Sequence, residues 1–60
     1  MKNAIISNTK EIKENIQRID ALIEEVPDED LPPEQRNKFI RQLLKLIEAQ
    51  IAQIKIYAKE

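Results

Sequence analysis

The stretch Val26-Pro27-Asp28-Glu29-Asp30-Leu31-Pro32-Pro33 divides the chain into two segments of nearly equal length. Proline lacks an amide donor and its ring clashes with the preceding turn, so three prolines in seven residues exclude a continuous helix here. Pro27 also disfavours the α conformation at the residue before it, whereas a proline is well tolerated in the first turn of a new helix. We therefore predict a helix over residues 3–26, an acidic proline-rich corner over 27–32 and a second helix over 33–59.

The composition is typical of an all-α protein. The 60 residues include eleven isoleucines but no glycine, which suits long helices better than a sheet with tight turns. A chain this short makes one domain and buries only about 60% of the surface that its unfolded form exposes. With neither cysteine nor histidine, it has no disulfide and none of the usual zinc, haem or iron-sulfur ligands. Self-association remains as the source of additional stability.

The first helix carries a heptad repeat of almost entirely β-branched aliphatic residues. Its members are Ile5, Thr9, Ile12, Ile16, Ile19, Ile23 and Val26. Isoleucine at both seam positions favours three or four helices around a common core over a simple two-stranded coil.

The second helix has an apolar arc too wide for one neighbour. Its central seam is Ile40, Leu43, Ile47, Gln50, Ile54 and Tyr57, flanked by Leu44, Ile51 and Ala58 on one side and by Phe39 and Leu46 on the other. We predict an antiparallel two-helix hairpin that dimerises into a four-helix bundle. The predicted oligomer core is Ile5, Ile12, Ile16, Ile19, Ile23, Ile40, Leu43, Leu44, Ile47, Ile51 and Ile54.

Each central seam contains one polar member. If the two seams fold onto each other about the corner, Thr9 and Gln50 fall in the same layer. A shared polar layer can specify the register of packed helices at some cost in stability, although the coincidence could also arise by chance.

One side of the second helix forms a basic stripe. It consists of Lys38, Arg41, Lys45, Lys55 and Lys59. A solvated face, a surface for acidic proteins and a nucleic-acid face are all open interpretations, although a net charge of −1 and the interruption by Glu48 and Ala52 give a poor electrostatic footprint for nucleic acid.

In length and predicted topology the chain resembles the small plasmid copy-number regulators that bind paired RNA hairpins as dimeric helical hairpins. The likeness includes no residue motif and implies no site residue.

Six carboxylates surround the corner as an acidic cluster. They are Glu24, Glu25, Asp28, Glu29, Asp30 and Glu34. A helix-loop-helix calcium site needs a central glycine that this chain lacks, so the cluster is interpreted as a solubilising tip or an acidic docking point.

A small apolar patch is predicted at the open end of the hairpin. It consists of Ile6, Ala49, Ala52 and Ile56, and a contiguous patch there would be a candidate partner site.

The residue inventory argues against an enzyme. Without histidine, cysteine or a glycine-rich phosphate loop, the chain cannot assemble a nucleophile with its base or a nucleotide cradle, and we expect no cofactor, no catalytic residue and no metal site.

No apolar run is long enough for a membrane span, so we expect a cytoplasmic protein without a membrane partner. The expected function is a non-enzymatic dimeric interaction module, a small regulator or adaptor that binds a protein partner. The alternatives are an RNA-binding regulator and an assembly or scaffold subunit.

Overall fold

The computed structural model describes residues 2–59, and in these the chain forms two helices packed against each other as a hairpin. Helix α1 is Lys2–Glu24 and helix α2 is Pro33–Tyr57. Residues 2–59 contain no strand, which confirms the all-α prediction. The predicted helices differ from these bounds by at most two residues at any end.

The prolines set both helix ends at the corner. The last hydrogen bond of α1 runs from the Glu25 amide to the Ala21 carbonyl over 2.9 Å, two residues before Pro27. The Asp30 and Leu31 amides then both donate to the Pro27 carbonyl and form a single tight turn. Pro32 adopts an extended conformation, with φ −57° and ψ 146°, and Pro33 opens α2. A proline costs little there because the first-turn amides of a helix have no intrahelical acceptor.

The two helices are offset along the hairpin. The molecule is 47 Å long, whereas the 25 residues of α2 span only about 38 Å. Gln50 of α2 is hydrogen-bonded to Asn15 of α1, so Tyr57, seven residues further on, is level with Asn8. The N-terminal end of α1 therefore extends beyond Tyr57, and the first two turns of α2 run beside the corner.

The corner packs against those first two turns. Val26, Leu31 and Ile40 are half-buried there, and so is Arg36, whose Nη1 makes a 3.3 Å ion pair with Oδ1 of Asp28. The apolar residues of the corner thus continue the contact surface beyond the end of α1.

A single hairpin encloses very little apolar surface. Ile47 is the one buried hydrophobic residue within residues 2–59, at 8% exposure. The α2 seam inferred from the sequence does face α1, since all six of its members are buried or half-buried. On α1 the residues turned towards α2 are Ile5, Asn8, Ile12, Asn15, Ile19 and Leu22. Of the predicted first-helix seam, Ile5, Ile12, Ile19 and Val26 are half-buried, whereas Thr9, Ile16 and Ile23 are exposed.

Candidate interaction surface

The most prominent polar feature of the hairpin is a chain of hydrogen bonds across the two helices. Arg18 Nη1 donates to Asn15 Oδ1 over 2.7 Å, and Asn15 Nδ2 donates to Gln50 Oε1 over 3.3 Å. Gln50 Nε2 in turn donates to Glu11 Oε2 over 2.6 Å. All donors point the same way, from a cation at one end to a carboxylate at the other, so neighbouring bonds polarise and strengthen each other. We call these four residues the polar chain.

Asn15 lies at the centre of the polar chain and is the most thoroughly buried polar residue described, at 4% exposure. A buried amide without partners costs about 1–3 kcal/mol, and here its oxygen and its nitrogen both have one. No buried side-chain nitrogen or oxygen atom in residues 2–59 lacks a hydrogen-bond partner. The polar chain therefore resists any slip of one helix along the other, because a slip would leave Asn15 unpaired.

The predicted layer of Thr9 with Gln50 is not formed. Thr9 is exposed, and its hydroxyl donates to the Ile5 carbonyl of its own helix over 2.8 Å. Gln50 lies level with Asn15, six residues further along α1. The prediction assumed that residues at equal distances from the corner lie at the same level. In the structure the first two turns of α2 pack beside the corner itself, so α2 is shifted along α1 relative to the predicted register. Gln50 keeps its predicted role as the polar member of the α2 seam, with a different partner.

Next to the polar chain, an apolar groove runs between the helices on the same side of the hairpin. This outer groove has a volume of about 440 Å³ and is lined by Arg18, Leu22, Phe39, Gln42, Leu43 and Leu46. Phe39 and Leu46 remain exposed in it. Arg18 is shared with a neighbouring hollow that also contains Glu11, Glu14 and Gln50, so the apolar groove passes directly into the polar chain.

Four members of the predicted oligomer core are exposed away from the outer groove. They are Ile16, Ile23, Leu44 and Ile51. We call this set the isoleucine face. The remaining members of the predicted core, Ile5, Ile12, Ile19, Ile40, Leu43, Ile47 and Ile54, are buried or half-buried along the contact between α1 and α2.

The charged surfaces proposed from the sequence are accessible. All five residues of the basic stripe are exposed, and so are the six carboxylates of the acidic cluster. Within residues 2–59 the one ion pair joins Asp28 to Arg36, which does not belong to the stripe. Nucleic-acid binding by the stripe and partner binding by the cluster stay predictions.

The apolar patch predicted at the open end is accessible too, but its members are spread out. Ile6, Ala49, Ala52 and Ile56 are all exposed. Ile6 lies near the N-terminal end of α1, in a shallow hollow lined by α1 residues alone.

The described residues form neither a metal-binding cluster nor a membrane-spanning helix. No group of three or more potential metal-binding side chains occurs in residues 2–59. Neither described helix has the length and apolar character needed to cross a lipid bilayer.

No known protein family matches the chain, and no curated protein or solved structure shows significant similarity to it.

Proposed function

We propose that this protein is a non-enzymatic interaction module that works as a homodimer, in which two hairpins form a four-helix bundle and the surface left uncovered binds a protein partner. The observation that carries the proposal is the imbalance of apolar burial. Eight large hydrophobic residues are exposed within residues 2–59, against one that is buried. Apolar surface of this extent on a small protein is typical of an interaction site.

The accessible area supports the same proposal quantitatively. A compact monomer of 7.0 kDa exposes about 4,000 Å². This hairpin exposes 4906 Å², an excess of roughly 900 Å². A standard protein interface covers about 800 Å² on each partner. One interface of ordinary size on each hairpin would therefore bring the exposed area to that of a compact protein.

Hairpin stability gives a second physical reason. Isolated helices are marginal in water, and most helix stability in proteins comes from packing of an apolar face. Among residues 2–59 the α1–α2 contact buries one hydrophobic residue, Ile47, so a second copy would supply the packing that one hairpin lacks.

Sedimentation equilibrium at several micromolar concentrations tests the proposal. We expect a mass twice that of the 7.0 kDa chain, and a melting temperature that rises with protein concentration because association stabilises only the folded state. A well-folded monomer whose melting temperature does not depend on concentration would contradict the proposal. Growth beyond the dimer would instead favour the assembly or scaffold function.

A salt titration separates the protein-binding function from RNA binding. Contacts between the basic stripe and phosphates would weaken steeply as salt is raised, whereas apolar docking is nearly insensitive to salt. Strong, salt-sensitive retention on heparin that is lost in a Lys38→Glu/Lys45→Glu variant would favour the RNA-binding regulator.

A further inference from the structure

In α1 a polar residue is buried while the apolar residue next to it is exposed. Asn15 is 4% exposed, whereas Ile16, the next residue, is 47% exposed. Ile23, one heptad after Ile16, is exposed as well. The apolar stripe of α1 is thus not centred on α2, because its middle line of Ile5, Ile12 and Ile19 is half-buried and its far side is open. The far side of that stripe is left uncovered by α2.

Helix geometry places the exposed aliphatic residues on opposite sides of the hairpin. Successive residues of an α-helix are rotated by about 100°. Leu46 lies in the outer groove with Arg18, on one flank of the line through Leu43, Ile47 and Gln50. Leu44 and Ile51 fall on the other flank, and so do Ile16 and Ile23 on α1. The isoleucine face is therefore the side of the hairpin opposite to the outer groove.

The isoleucine face consists of two matched pairs. In the register set by Asn15 and Gln50, Ile51 lies two residues from the level of Ile16. Leu44 lies at the same offset from Ile23. Each pair joins one residue from each helix, and the two pairs are one heptad, about 10.5 Å, apart. This spacing is the repeat with which side chains of packed helices interdigitate.

The geometry points to a second copy of this chain on the isoleucine face, with the two hairpins antiparallel so that the corner of each lies beside the open end of the other. The inference rests on the proposed dimer and adds which face forms its interface and how the copies are oriented. The roughly 900 Å² of excess surface matches one such interface. A face made of repeated, uncharged aliphatic pairs is self-complementary, as a two-fold symmetric contact requires.

The distribution of charged residues along the hairpin favours the antiparallel orientation of the two copies. Residues 24–34 carry six acidic side chains and no basic one, whereas residues 1–13 and 53–60 together carry five lysines and two glutamates. A parallel arrangement would place two acidic clusters side by side, and like charges at an interface are unfavourable. The antiparallel arrangement places each acidic cluster beside the lysines of the other copy. At mid-length it also brings Lys13 of one α1 towards Asp20 of the other, since both residues lie on the outer edge of the face around Ile16.

Matched substitutions test the choice of face. Leu44→Ala alters the isoleucine face, and Leu46→Ala, two residues away on the same helix, alters the outer groove; the wild-type side chains are 44% and 54% exposed. Symmetry places Leu44 in the interface twice, so we expect Leu44→Ala to raise the dimer dissociation constant about a hundredfold. Leu46→Ala should change it less than about threefold, since each 1.4 kcal/mol corresponds to a factor of ten. Ile23→Ala provides a second variant on α1 with the same expected direction.

The outcomes separate the two proposals. Leu46→Ala could weaken the dimer as much as Leu44→Ala and Ile23→Ala do, or more. That result would overturn the choice of face but not the proposal that the protein is a dimer. A wild-type chain that is monomeric by sedimentation would overturn the proposed function itself.

Distance measurements between spin labels test the orientation. The chain has no cysteine, so Asp30→Cys provides a single labelling site at the corner. Antiparallel hairpins place the two labels roughly one molecular length apart, near 47 Å. Parallel hairpins place them within about two helix diameters, roughly 20–25 Å. A Gln17→Cys label, near the middle of the 47 Å molecule, serves as the control, since it stays within about three helix diameters of its copy in either arrangement. A short corner distance in an intact dimer would overturn the antiparallel orientation.

Discussion

Asn15 of α1 donates a hydrogen bond from Nδ2 to Oε1 of Gln50 of α2 over 3.3 Å, and this contact fixes the level at which the two helices meet. Arg18 and Glu11 extend the contact to a cation at one end and a carboxylate at the other. Neighbouring layers are aliphatic and would tolerate other registers, since apolar contacts are not directional.

Asn15→Ala should destabilise the protein by about 1–3 kcal/mol, because it removes two hydrogen bonds at a buried position and leaves Gln50 Oε1 without its donor from α1. Urea unfolding at a fixed protein concentration measures the change. Asn37→Ala is the matched control, since Asn37 is exposed and accepts only a local bond from Arg36. The same substitution there should change stability by less than about 0.5 kcal/mol. Equal effects at the two sites would contradict the role of the polar chain.

Replacing both Asn15 and Gln50 with leucine should raise the melting temperature, because two polar groups at the helix contact become apolar ones. The uniqueness of the register should suffer, since the substitutions remove the side-chain hydrogen bonds that Gln50 makes to Asn15 and Glu11 across the two helices. Amide NMR spectra would then show doubled peaks, or native mass spectrometry would show mixed oligomers. A single, more stable species would mean that the aliphatic layers alone specify the register.

Ile47→Ala should destabilise the hairpin by about 2–3 kcal/mol, because Ile47 is the one buried hydrophobic residue among those described and its removal leaves a cavity. Ile56→Ala makes the same substitution on the same helix at an exposed position, and its effect should stay below about 0.5 kcal/mol. Chemical denaturation of both variants at one protein concentration compares them. If Ile56→Ala costs as much as Ile47→Ala, then Ile56 is covered in the assembled protein.

Asp28→Asn should change stability by less than about 0.5 kcal/mol, although it removes the ion pair with Arg36 at the corner. The Asp28 side chain is 67% exposed, and exposed pairs contribute little because water and salt screen them. Any difference from the wild type should vanish at about 0.5 M salt, where the screening length is only a few Å. Asp30→Asn controls for the loss of one charge from the acidic cluster without breaking the pair. A loss above 1 kcal/mol that persists in high salt would show that the pair organises the corner.

Much of the fold could be predicted from local chemistry. Proline cannot donate to a helix ladder, so the prolines of the corner determine where α1 stops and α2 starts whatever else the chain does. The α2 seam was also predictable, because Ile40, Ile47 and Ile54 recur at heptad spacing in the middle of a broad apolar arc. Any helix that packs against this arc covers the residues at the centre of the arc.

The side of α1 that faces α2 was not predictable from hydrophobicity. Two overlapping stripes run along α1, and both include Ile5, Ile12 and Ile19. The first stripe also includes Ile16 and Ile23. The second includes Asn15 and Leu22 instead. Hydrophobicity favours the first stripe, yet the hairpin buries the second. The signal that could have found it is the heptad spacing of Asn8, Asn15 and Leu22, which places two asparagines in line with a leucine.

The sequence by itself thus determined the two helices, the corner and the composition of each apolar stripe, because prolines and helical periodicity act within a few residues of chain. The tertiary structure alone decided which stripe of α1 meets α2 and that Asn15, not Thr9, pairs with Gln50. The physical reason is that a register depends on both helices at once. The hydrogen bond between Asn15 and Gln50 forms only at one alignment of the two helices, and buried polar groups settle where their hydrogen bonds are satisfied.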